Sequence, residues 1–72
     1  MEFAPHQQRV IDERRDLKDK LDKLIAFFDT TTFRRDLEEA ERLRLRAQAV
    51  FMAGYRDILT ERIDAFIRAM DG

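Results

Sequence analysis

Along residues 10–28, Val10, Leu17, Leu21, Leu24 and Phe28 recur in alternating steps of three and four, with Arg14 filling one slot. That spacing puts a single apolar stripe on one face of a helix. Ile11, Ile25 and Phe27 widen the stripe on both sides. The opposite face carries Asp16–Lys20 and Asp19–Lys23, acid before base at i,i+4, each pair adding roughly 0.2–0.5 kcal/mol to a helix. The pattern predicts helix 1 over 5–28, with residues 1–4 as a short flexible arm. Pro5 suits the first turn, where its missing N–H has no helical partner. The start still reads PHQQRV, without the Ser, Thr or Asp that would cap it best.

The periodicity stops at Asp29, Thr30, Thr31 and Thr32, which favour turns over helix interiors. A turn is expected over 29–35, with Phe33 folding back onto the core. Asp36 followed by Glu39 has the form of a capping box, with Thr32 as the competing cap. Helix 2 is then expected over 36–70. Its apolar residues, among them Leu43, Ala47, Val50, Phe51, Tyr55, Ile58, Leu59, Ile63, Phe66, Ile67 and Met70, cover more than one stripe. At 1.5 Å per residue, helix 2 spans roughly 50 Å against roughly 36 Å for helix 1. One narrow partner cannot cover so wide a surface, so a second chain is the expected cover. Gly54 marks a bend, which would divide the chain into three helices, or a close helix–helix approach. The expected fold is therefore all-α: a single domain over 1–72, a small helical hairpin or three-helix protein with long antiparallel helices, assembling as an oligomer.

Composition narrows the chemistry. A chain of 72 residues has a thin core, and small folds usually add disulfides, a metal or self-association. With no Cys and one His, the first two are excluded or remote, and association remains. Charged residues make up 40% of the chain but sum to a net charge of only −1, unlike the basic stripe of a DNA binder. Arg42, Arg44 and Arg46 follow Glu38, Glu39 and Glu41, so they read first as a solvated face. No apolar run is long enough to span a membrane and no secretory signal opens the chain, which points to the cytosol. Ser is absent, His6 stands alone, no Gly-rich phosphate loop occurs, and the threonines have no neighbouring base. No enzyme and no cofactor are expected.

The segments HQQRVIDE and LDKLIAFF, with Leu45, Gln48, Met52, Tyr55, Leu59 and the ERI at 61–63, resemble a family of small phage proteins, the anti-CBASS cyclic-nucleotide sponges. The resemblance covers nearly the whole chain. It implies a small, helical, oligomeric protein, hexameric in the family, acting in the cytoplasm of an infected bacterial host. Such a protein binds the cyclic di- or trinucleotide messengers of CBASS immunity, for example cyclic GMP-AMP, and holds them without hydrolysis. Neither DNA nor a membrane is a partner.

The resemblance also implies site residues. The family's phosphate-contacting Lys, in the KL of helix 1, corresponds to Lys23. The base-contacting residue before RV corresponds to Gln8, where members with strong cyclic dinucleotide binding carry Tyr. Gln8 cannot stack as a ring does, and Phe3 on the arm is the candidate to replace it. Pro5 and His6, with Gln7, would line the same pocket at the positive end of the helix dipole. At 100° per residue, Gln8 and Lys23 lie within about 60° of each other, away from the apolar stripe. They are also fifteen residues apart, roughly 22 Å along one helix, too far for one small ligand. Two antiparallel copies would bring Gln8 of one chain to Lys23 of the other. The rival readings are a helical structural or adaptor protein and, behind it, a DNA-binding helical dimer.

Overall fold

The computed structural model describes residues 2–71; Met1 of the expected arm, and Gly72, lie outside them. Three helical elements follow in order: α1 over Pro5–Phe27, a π-helical turn over Thr32–Asp36, and α2 over Glu39–Asp71. The fold is all-α. The two long helices form a hairpin measuring 52 × 16 × 15 Å.

The side of α1 that bears the stripe meets α2. Val10 and Leu21 from α1, Phe33 from the turn and Leu59 from α2 are the buried apolar residues. Arg14, the odd residue in the stripe, is accommodated by a long-range hydrogen bond. Its Nε donates to Thr60 Oγ1 at 2.6 Å, and the Thr60 hydroxyl donates to the Arg56 carbonyl at 2.9 Å. On the solvent side Lys23 pairs with Asp19 at 2.9 Å and Lys18 with Asp22 at 2.7 Å. Asp16 takes Arg15 rather than the expected Lys20.

The corner differs from the capped turn expected from the sequence. Neither Asp36 nor Thr32 caps α2: Thr32 opens the π-helical turn and Asp36 closes it. The cause is Phe33, 1% exposed, whose ring packs at 5.7 Å from Phe27 and 4.9 Å from Phe28. Driving that ring inward holds the chain in the wide π spacing. Thr30 supports it, donating to the Phe27 carbonyl at 2.7 Å and accepting from the Phe33 N–H at 3.2 Å. Arginines serve the corner's carbonyls: Arg34 donates to the Asp29 carbonyl and Arg42 to that of Leu37. The Arg46 guanidinium lies 5.2 Å over both the Phe28 and Phe33 rings.

α2 continues through Gly54 without a break, so the third helical element is the corner, not a half of α2. A helix interior carries Gly at roughly 1 kcal/mol less stability than Ala, and within the chain nothing offsets that. A Cβ built there would meet no atom within 4 Å, so the close approach expected at Gly54 is not to α1. The side of α2 against α1 holds Leu59, Ile63 and Phe66. The other side leaves Val50 70% and Phe51 77% exposed, with Leu43 and Ile58 also exposed; Tyr55 stands on the α1 side, beside Leu17.

Candidate functional site

The entrance to α1 is built by Ala4 and Gln7. Ala4 is the N-cap residue in extended conformation, and its methyl group cannot accept a hydrogen bond. Gln7 Oε1 accepts from the Ala4 N–H at 2.9 Å, the reciprocal half of a capping box. The Gln7 and Gln8 N–H groups both donate to the Ala4 carbonyl at 2.9 Å. The helix start is thus capped from inside by Gln7. Pro5 has no N–H, so among the first-turn amides His6 alone lacks a hydrogen-bond partner. No acid stands in this turn to balance the positive dipole end.

The arm is docked rather than loose. The Phe3 ring meets Phe66 of α2 edge to face, with centroids 5.8 Å apart. Its ring is therefore engaged near the far end of α2. Pro5, His6 and Gln8 are exposed.

Gln8 and Lys23 both project from the outer face of α1, away from α2. Each is held only by its own helix: Gln8 Nε2 donates to Asp12 Oδ1 at 3.0 Å, and Lys23 pairs with Asp19. Both contacts are exposed. The fold does not bring Gln8 and Lys23 together, since they lie on one unbroken helix about four turns apart.

Gln8 and Lys23 line none of three surface grooves that stand out among the described residues. One, about 610 Å³, runs between the helices over Ile11, Ile63 and Ile67, beside Arg14 and Lys18. The second, about 480 Å³, lies on the other side of the pair beside Arg9, Leu17 and Tyr55. The third, about 490 Å³, belongs to α2 alone, over Ala47, Phe51 and Tyr55. Sequence reasoning missed the Arg14–Thr60 bond between the helices. A charged residue in an apolar stripe was the available signal.

No group of three or more His, Cys, Asp or Glu that could hold a metal ion is found among the described residues. No described helix is long and apolar enough to cross a membrane. The outer face of α1 carries the exposed amide of Gln8 and ammonium of Lys23.

Comparison with known proteins supplies what this geometry leaves open. The family model Sequestin matches residues 4–65, which take in the whole of α1, the corner and most of α2. The chain belongs to the Sequestin family. No curated protein and no solved structure matches it. The Sequestin match begins at Ala4, so the Gln7-capped helix start, Gln8 and Lys23 all fall within the family's own extent.

Proposed function

We propose that this Sequestin protein is a phage counter-defence sponge. It binds the cyclic di- or trinucleotide messengers of CBASS immunity, such as cyclic GMP-AMP, in the cytoplasm of the infected host, and holds them without cleavage. The observation that carries the reading is the family match over residues 4–65, under a name that speaks of sequestration. The outer face of α1 supports it, with Gln8 and Lys23 exposed and engaged only by weak contacts along their own helix.

The energetics favour an exchange of partners. An exposed i,i+4 ion pair is worth about 0.3–0.5 kcal/mol. A charge-assisted hydrogen bond to phosphate, partly shielded from water, is worth about 1.5–3 kcal/mol. Lys23 can therefore leave Asp19 for a phosphate with a net gain. In this reading the site is shared: Gln8 of one chain and Lys23 of an antiparallel copy hold one two-fold ligand, within a homo-oligomer that is hexameric in the family. His6 and Pro5 border the site from the helix start. The set of side chains suits retention rather than hydrolysis, because Lys and amide groups bind phosphate without supplying an activated nucleophile.

The test is thermal unfolding with and without cyclic GMP-AMP or a cyclic trinucleotide. A ligand that binds only the folded state raises the midpoint in proportion to the logarithm of its concentration. Recovery of intact cyclic nucleotide after heat release is the second expected result. No shift with any cyclic di- or trinucleotide would sink the sponge in favour of the adaptor reading. Linear products absent from a boiled control would make the protein an enzyme.

A further inference from the structure

We infer that the uncovered face of α2 is a contact between two copies of this chain, with the α2 helices side by side in parallel and Gly54 at the centre. The contact lies on α2 alone, so it goes beyond the ligand reading and stands or falls without it.

The face is defined by exposure and helical angle together. Leu43, Val50, Phe51 and Ile58 are all more than half exposed. At 100° per residue they fall with Ala47 and Gly54 in one arc of about 100°. Leu59 and Ile63, which face α1, lie roughly opposite. α2 is thus apolar on two sides, and a continuous stripe of this size is unusual on a surface that meets only water.

Size alternates along the stripe. Ala47 and Gly54, the small residues, flank Phe51, and Ile58 follows. Space around Gly54 is open, with nothing within 4 Å of a Cβ built there. A second helix can come close at Ala47 and Gly54, and the Phe51 rings can lean into the room those two residues leave.

The charged borders choose the occupant and its direction. Arg44 and Arg62 lie along one edge of the stripe, and Asp57 and Asp64 along the other, where Arg46 is engaged over the Phe28 and Phe33 rings; Glu61 shares the angle of Leu43 within the stripe. Arg44 is bridged to Glu41 and Asp57 to Arg56 on their own helix. Arg62 and Glu61 have no ion-pair partner among the described residues. A second copy related by a two-fold axis along α2 sets the basic edge of each chain against the acidic edge of the other. It brings Arg62 beside Asp57 of the second copy. Antiparallel α2 helices would instead set basic edge against basic edge. The surface is complementary to itself, and only in the parallel sense.

The chain has no Cys, so single cysteines report the contact cleanly. Under mild oxidation Ala47→Cys and Gly54→Cys should each give a disulfide-linked dimer, much faster than Glu38→Cys at the corner as the collision control. An antiparallel contact would link at most one of the two. A face reserved for another protein would link neither. Either result overturns the inference. Gly54→Leu is the second arm: a single chain has room for the side chain and gains helix propensity, so helical circular dichroism should be kept. Association measured by sedimentation should weaken at least tenfold, and equal or stronger association counts against the inference. Lys23→Ala separates the two readings: it should leave both disulfides unchanged while lowering cyclic nucleotide binding. Disulfides that fail while Lys23→Ala still weakens ligand binding would remove the α2 contact alone.

Discussion

α1 is richer in charged residues than in apolar ones, and α2 is the reverse. α1 is apolar on one side only. Its other side is an array of charges paired along the helix, such as Asp19–Lys23 and Lys18–Asp22. α2 is apolar on two sides, one against α1 and one uncovered. The ends differ as well. α2 begins with Glu39 and Glu41 in its first turn and has Arg68 in its last, both favourable to its dipole. α1 has no acid in its first turn and no base in its last. The contrast teaches a division between the helices: α2 carries apolar surface on two sides, of which α1 covers one, and α1 packs by one side and presents polar groups outward.

Substitutions on each helix test that division. The largest effect is expected at Leu59, which is fully buried against α1. Leu59→Ala should cost about 2–5 kcal/mol in denaturant unfolding at fixed protein concentration. Phe51→Ala, on the other side of the same helix, should leave the folded hairpin's circular dichroism intact and lower self-association. Equal losses of single-chain stability at both positions would mean α2 has one apolar face that matters.

Next in size is Lys23→Ala. The loss of one phosphate contact should weaken cyclic nucleotide binding at least roughly tenfold, or about 1.5–3 kcal/mol, with the melting temperature without ligand nearly unchanged. Unaltered affinity by calorimetry would remove Lys23 from the site. Thr60→Val probes the inner side of α1. It deletes the acceptor of Arg14, and stability should fall by about 0.5–1.5 kcal/mol in urea melts. The smallest effect, and the one of opposite sign, is expected from Asp19→Asn. Removing the competitor for Lys23 should tighten ligand binding by a few tenths of a kcal/mol. Weaker binding in this variant would show that Asp19 orients Lys23 instead of competing with ligand.

The legible parts of the molecule are those written in a single period. The stripe through Val10 and Leu21 and the Asp19–Lys23 pair follow from the 3.6-residue repeat, which needs no knowledge of the rest of the chain. The corner was legible in the inward turn of Phe33 but not in its π-helical form. A π-helical turn has no repeat of its own in five residues, and Phe33 enters it only because Phe27 and Phe28 are there to receive the ring. The cap by Gln7 was hidden because its partner in the usual signature, a hydroxyl at the N-cap, is here Ala4. Phe3 docking on Phe66 joins the two ends of the chain, beyond the reach of any local pattern. At the candidate site, the outward placement of Gln8 and Lys23 could be read from helical angle. In the proposed site their approach to each other would belong to two chains, and the periodicity of one chain carries nothing about how copies meet.

The two-sided character of α2 has a consequence for how this protein can vary. On α1 a broad continuous arc faces water, so neighbouring positions can drift together while the hairpin stands. On α2 the free positions are confined to two narrow strips, Arg44, Gln48 and Arg62 on one side and Arg46, Asp57 and Asp64 on the other. A saturation mutagenesis map should therefore show one wide tolerant band along α1 and two thin ones along α2. If α2 is covered on both sides as proposed, descendants of such a chain would vary most along the outer face of α1.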